Sequence, residues 1–374
     1  MNFYPVFDIK LEKREKKYVN ECLNNSWIGQ GKFVDKFEKK LSKFVECKYG
    51  VSTTSGTTAL HIACRAVDIK SGDEVLVSSS TNMASAFAIM YCGAKPVPID
   101  ISIENWQMDT KLLEKKINKK TKGIMVVHLF GHPVNMGPVL KISKKYNLKI
   151  IEDCAESLGV KYRGKSVGAL GDVAAFSFYS NKTITSGEGG MVTTNSKKFF
   201  LRAKSLKNLG YGKKNKFQHE LVGFNYRLPN ISAAIGLAQL ENINSIYKEK
   251  KRIYLRYKNN LKDIQGLYVP KIESWTSKYI MWVFNVYLDN SFKLSRDVLV
   301  KKLAERKIET RNAFVPINKQ KTILKIFKSI KSNDCPNANY IMKNGFYLPS
   351  GNTITNKEID FICNTIKTIL RKNK

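Results

Sequence analysis

Between residues 45 and 195 the chain alternates short apolar runs with segments of helical spacing, and this alternation restricts the fold more than any other feature. EVLVSS (74–79), AKPVPID (94–100), GIMVVHLFG (123–131), LKIIED (148–153), VAAFSFY (173–179) and GGMVTTN (189–195) read as buried strands. Between them TTALHIACRAVD, MASAFAIMYCG, TKLLEKKIN and MGPVLKISKKYN read as helices. Strands that are apolar on both faces need cover on both sides, so the pattern predicts an α/β fold with a mostly parallel central sheet covered by helices. In such sheets ligands bind beyond the carboxyl ends of the strands.

The character changes after the helix-like stretch 231–261 (ISAAIGLAQLENINSIYKEKKRIYLRYKNNL). MWVFNVYLD (281–289) and YLPSG (347–351) suggest strands, and SRDVLVKKLAERKI (295–308) and NKEIDFICNTIKTILRK (356–372) suggest helices. The expected organisation is therefore a large domain, 1–245, with the N-terminal segment included, and a smaller C-terminal α+β domain, 246–374. No repeat or linker rich in Pro, Gly and Ser separates them.

Composition narrows the class. A hydrophobic content of 43% in 374 residues is enough for real cores. No apolar run reaches a membrane-spanning length, and MNFYPVFDIKLEKREKK lacks the apolar centre of a signal peptide, so a cytoplasmic protein without a membrane partner is expected. The seven cysteines are scattered without a CxxC pair, which suggests neither a disulfide framework nor a zinc site. The net charge of +33 invites a nucleic-acid reading. Against it, 53 of the 64 basic residues are lysines dispersed at the spacing of solvated helix faces. Nucleic-acid recognition favours the planar arginine fork, so no nucleic-acid partner is expected.

Lys182 lies in FSFYSNKTITSGEGG (176–190), between an aromatic-rich extended run and a glycine-rich turn. A lysine in so apolar a stretch needs a partner or a chemical task. Asp153, which ends LKIIED, lies 29 residues earlier, so both can meet at one sheet edge. An amine that bonds an aldehyde, facing an acid that keeps a ring nitrogen protonated, is what pyridoxal phosphate chemistry requires. The turn SGTT in TTSGTTALHIA (53–63) opens an amphipathic helix whose free N–H groups can hold a phosphate, and Ser177 can add a hydroxyl. His128 and His132 stand four apart, but Gly131 and Pro133 spoil the helix that a zinc pair needs. No metal is expected, and both histidines read as strand-end residues that line or border the pocket.

TSGTTALHIA, IIEDCAES, FSFYSNKTITSGEGGMVTTN and GFNYRLPNISAAIGLAQLE occur in the order of the DegT/DnrJ/EryC1/StrS sugar-nucleotide aminotransferases, a family that the chain resembles from about residue 5 to its end. The resemblance implies fold type I, the aspartate aminotransferase-like fold of pyridoxal 5′-phosphate enzymes, and a homodimer with shared active sites. It implies Lys182 as the cofactor-bonding and proton-carrying lysine, Asp153 on the pyridinium nitrogen and Glu156 near the ring hydroxyl. Ser55, Gly56, Thr57 and Ser177 would hold the phosphate, joined by Asn225 from the other subunit. L-glutamate would be the donor and a nucleoside-diphosphate keto-sugar the acceptor, with Tyr179 and Arg311 as candidate substrate contacts.

Where the family often places an aromatic residue over the cofactor ring, this chain has Asn82, which leaves the ring packing open. Relatives that remove a sugar hydroxyl carry histidine at the lysine position, so Lys182 argues for amination. NKTIT is similar to the lysine segment of the GDP-perosamine synthases, which implies GDP-4-keto-6-deoxy-D-mannose as acceptor. A UDP- or dTDP-linked 3- or 4-keto-6-deoxy sugar is the alternative. A basic regulatory protein on the same fold is the distant one.

Overall fold

The computed structural model describes residues 2–212 and 217–372. Seven strands form the main sheet: β1 (Tyr49–Thr53), β2 (Glu74–Ser78), β3 (Lys95–Ile99), β4 (Thr121–Val127), β5 (Lys149–Asp153), β6 (Val173–Ser177) and β7 (Gly190–Thr194). Their order is β1-β7-β6-β5-β4-β2-β3, and β7 alone runs against the others. The mostly parallel sheet is thus present. It has one strand, YGVST at 49–53, that falls outside the sequence-predicted set.

Both faces are apolar, as the runs predicted. Val75, Val77, Met125 and Ile151 pack on one side, while Leu76, Ile124, Val126 and Ile150 pack on the other. The first four helices are α1 (Lys13–Asn24), α2 (Lys32–Phe44), α3 (Gly56–Ala66) and α4 (Ala84–Tyr91), of which α3 and α4 bear on the functional region. The predicted helix at TKLLEKKIN shrinks to a 3-10 turn, Thr110–Leu112, and one α-turn, Leu113–Lys116. The stretch 231–261 is two helices, Asn230–Glu241 and Ile243–Leu261, broken at Asn242.

A second sheet of four strands has the order Leu267–Tyr268, Phe284–Leu288, Gly345–Leu348, Arg311–Asn312, and it carries its own core with the helices Arg296–Ala304 and Asn356–Arg371. The chain start reaches this part. The Tyr4 N–H donates to the Lys307 carbonyl at 2.9 Å, and the Val6 N–H donates to Glu309 at 2.8 Å.

Candidate active site

Parallel strands bring their carboxyl ends to one edge, and the residues singled out in the sequence gather there. β5 ends in Asp153, β6 ends in Ser177, and β1 leads into α3 through Ser55. A cavity of about 590 Å³ opens at this edge. It is lined by Ser55, Gly56, Thr57, Asn82, Asp153, Glu156, Ser177, Tyr179, Lys182 and Arg311, all expected, and by Trp282, Phe314 and Tyr347, which were not.

Asp153 is buried at the inner end. Its Oδ2 accepts the Ser85 hydroxyl at 2.7 Å, and its Oδ1 accepts the Ala155 N–H at 3.1 Å. Ser85 is in turn linked to the Thr81 hydroxyl at 2.8 Å, so the start of α4 orients the carboxylate. Burial pushes the Asp153 carboxyl above the ordinary range, while Ser85, Ala155 and Lys182 pull it down. Two donors leave part of a carboxylate's accepting capacity unused, so this acid can take a cationic N–H from the cavity.

Lys182 Nζ lies 3.5 Å from Glu156 Oε1 and 4.2 Å from the centroid of the Trp282 ring. Glu156 accepts the Phe130 N–H at 3.0 Å on its other oxygen. Burial also raises the Glu156 carboxyl, with Lys182 the strongest influence pulling it down. An ammonium between an indole face and a carboxylate keeps two attractions that offset its lost hydration.

The opposite end is built for an anion. Ser55 caps α3 by accepting the Thr58 N–H at 3.2 Å, and the Ser55 N–H donates to the Thr58 hydroxyl at 2.9 Å. The Gly56 and Thr57 N–H groups precede the first helical bond and point out of the helix start, where the dipole is positive. A side chain at Gly56 would lie 2.6 Å from Ser177 Cβ, and one at Gly190 would lie 2.2 Å from the Ser55 carbonyl oxygen. Both glycines therefore let the helix start sit against the ends of β6 and β7.

The remaining expected residues stand further out. Asn82 is exposed and uses its Oδ1 to accept the Ala84 N–H at 3.0 Å, a local turn bond with no stacking surface. Tyr179 is 45% exposed at the rim. Arg311 lies 3.5 Å from Glu309 and 5.3 Å from the Phe7 centroid, half-exposed. Asn225 is exposed, accepts the Arg227 Nε–H at 2.9 Å and lies outside this cavity.

The histidines correct the sequence reading, since neither lines the cavity. His128 is fully buried. Its Nδ1 accepts the Val134 N–H at 3.1 Å, so its Nε2 carries the proton donated to Glu152 at 3.0 Å. Glu152 also accepts the Gly168, Leu170 and Gly171 N–H groups. Cys154 is near enough to make a metal-like cluster with this pair, but the bonds just named already occupy both ring nitrogens and both carboxylate oxygens. Strand alternation explains the arrangement: Glu152 and Asp153 are neighbours on β5 and point to opposite faces. His132 bonds the Glu273 N–H at 3.0 Å instead.

A lysine able to bond an aldehyde, an acid placed to accept a ring N–H⁺ and a helix start open to phosphate are each common alone. Their meeting at the carboxyl edge of this sheet defines a class, the pyridoxal-phosphate-dependent enzymes of fold type I. Comparison with known proteins agrees along the whole chain. Residues 9–367 match the DegT/DnrJ/EryC1/StrS aminotransferase family. The GDP-perosamine synthase of Escherichia coli O157:H7 is 40% identical over 367 residues, 98% of each chain, and that of Vibrio cholerae is 38% identical over 97% of this chain and 98% of its own. The solved structure of Helicobacter pylori PseC, an aminotransferase of pseudoaminic acid biosynthesis, superposes with a TM-score of 0.93 at 26% identity, covering 99% of this chain and 100% of that one.

The chain belongs to the DegT/DnrJ/EryC1/StrS family of sugar-nucleotide aminotransferases, and it is a transaminase with pyridoxal 5′-phosphate as cofactor. Among the described residues no helix is long and apolar enough to cross a membrane.

Proposed function

We propose that this transaminase moves the amino group of L-glutamate to a nucleoside-diphosphate keto-sugar, with GDP-4-keto-6-deoxy-D-mannose as acceptor and GDP-perosamine as product, for surface polysaccharide synthesis in the cytoplasm. The observation that carries the reading is the cavity itself, where Lys182, Glu156, Asp153 and the start of α3 converge. The relatives at 38–40% identity over nearly the whole chain support the GDP-linked acceptor.

When bound, the cofactor supplies an aldehyde that accepts an amino group and a ring that withdraws electrons from the substrate carbon. Asp153 would hold a proton on the ring nitrogen, its own oxygens fixed by Ser85 and Ala155. Glu156 would face the ring hydroxyl, and Ser55, Gly56, Thr57 and Ser177 would hold the phosphate. Lys182 Nζ would move the proton between the substrate carbon and the cofactor, in one direction with the donor and in the other with the acceptor, and one amine can serve both half-reactions because both substrates use one cavity. Tyr179 and Arg311 receive the sugar nucleotide at the rim.

The proposal includes a homodimer. Asn225, exposed and outside its own chain's cavity, serves the phosphate of a second copy. It also divides the chain into a cofactor domain, 1–245, and a smaller domain, 246–374.

Purified protein and glutamate, incubated with GDP-, UDP- and dTDP-linked keto-sugars, are expected to aminate GDP-4-keto-6-deoxy-D-mannose, read as product mass. Amination of a UDP- or dTDP-sugar alone overturns the acceptor. No amination together with no colour on adding the cofactor overturns the transaminase reading.

A further inference from the structure

Trp282 is 3% exposed and lies 100 residues beyond Lys182, yet it makes the closest ring contact with that amine. Two hydrogen bonds and two ring packings fix it. Its indole N–H donates to the Asn181 carbonyl at 2.7 Å, next to Lys182 itself. Its backbone carbonyl accepts Lys250 Nζ at 3.0 Å, and Lys250 also donates to the Ser350 carbonyl at 2.8 Å. Its ring is stacked with Phe130 at 6.0 Å and with Phe7 at 5.5 Å. Phe130 in turn donates its N–H to Glu156, so indole, amine, carboxylate and Phe130 close into one ring of contacts.

Lys250 is wholly buried, and burial brings its pKa down to about 8, an unusual position for a lysine that only props a helix. Its two carbonyl partners join the helix Ile243–Leu261 to the segment carrying Trp282 and to the loop at Ser350. The indole thus stands where the two parts of the chain meet: Lys250 holds its backbone from the C-terminal side, while Asn181, Phe130 and Phe7 hold its ring.

We propose that Trp282 is a positioning residue for Lys182: its indole face, held by Lys250 and by the Asn181 carbonyl, keeps the lysine amine beside Glu156 whenever that amine is not bonded to the cofactor. The inference rests on the reading of Lys182 as the proton carrier. A lysine chain has four rotatable bonds, and a released amine that wandered would have to be recovered before each proton transfer. A fixed aromatic face limits the wandering without forming a bond that must later be broken.

The test uses full-length protein stripped of cofactor, as parent, W282F, W282L, K250M and K182A. Each is mixed with pyridoxal phosphate and the growth of the yellow chromophore is timed, then kcat and KM are measured with glutamate and the accepted sugar nucleotide. W282L is expected to slow both chromophore growth and kcat about tenfold while both KM values stay within about twofold. W282F, which keeps a ring face, should remain within about threefold of the parent, and K250M should fall between the two. Parent-like rates in W282L overturn the inference, and so does equal slowing in W282F and W282L, or slowing matched by a proportional rise in KM. If K182A develops the chromophore as the parent does, the assignment of Lys182 fails, whatever the tryptophan variants do.

Discussion

At the inner end of the cavity Asp153, Glu156 and Lys182 are buried and cross-linked, with Ser85, Ala155, Phe130 and Trp282 each fixing one of them. At the outer end Tyr179 and Asn82 stand in solvent, and the half-exposed Arg311 touches Glu309 at 3.5 Å, the Phe7 face and the Tyr347 hydroxyl. The inner end is set in one geometry by a folded chain. The outer end has side chains still free to adopt the shape that a substrate imposes. Chemistry that must be held within fractions of an ångström belongs to the first, and choice among sugar nucleotides belongs to the second.

This contrast predicts which substitutions change rate and which change affinity. The largest effect is expected from Lys182→Ala, which removes the one lysine amine among the described residues that line the cavity. Amination should fall on the order of 10⁴-fold, read as product mass, with no chromophore on adding the cofactor. An outer-end residue able to substitute for it would break the contrast.

Asp153→Asn is expected next, with a loss of about 10²-fold or more in kcat because the ring nitrogen loses its counter-charge. The same change should stabilise the cofactor-free chain. The Asp153 carboxyl titrates higher when folded than when unfolded, so its contribution is full below the unfolded value of about 3.9 and is lost as pH rises through the folded value. Asparagine has no such loss. The variant should therefore melt above the parent at pH values above the folded value, and the gap should narrow as pH falls through it toward about 3.9, as thermal melts across the range can show.

Arg311→Ala tests the other end. Loss of a charged donor to a substrate phosphate or hydroxyl is worth about 1.5–3 kcal/mol, so KM for the sugar nucleotide should rise about 10- to 100-fold. Its kcat, its KM for glutamate and its cofactor colour should stay near the parent. A fall in kcat instead would place Arg311 with the inner residues.

The smallest expected effect sharpens the comparison inside the buried set. Ser85→Ala leaves one Asp153 oxygen without its 2.7 Å donor, which should cost about 1–2 kcal/mol of stability in denaturant titration at pH 8. The cost should shrink as pH falls through the folded Asp153 value, where protonation of the carboxyl relieves it.

The inner end could be read in advance to the extent that its residues are signalled by neighbours in the chain. Asp153 ends a run of apolar residues, Lys182 interrupts aromatic and glycine-rich sequence, and SGTT opens a helix. Ser85 and Trp282 carried no such signal. Ser85 sits in a plain helical segment, and Trp282 precedes a strand, where an aromatic residue is ordinary core. The histidines were misplaced because their partners lie elsewhere: alternation along β5 sends Glu152, which binds His128, to the face opposite Asp153, and His132 turns to the Glu273 N–H. The break at Asn242 was missed because the apolar spacing on either side continues with little change of phase.

Periodicity and local turn chemistry act over a few residues, so the chain alone carried the alternating layers, the sheet edge as the place of reaction, and the lysine and acid that meet there. The environment of those groups is a matter of contacts between residues 68 to 100 positions apart: Ser85 against Asp153, Trp282 against Lys182, Lys250 against Ser350. Burial and distance set how strongly an acid resists ionisation and where an amine rests, and both quantities exist only once separate elements have packed.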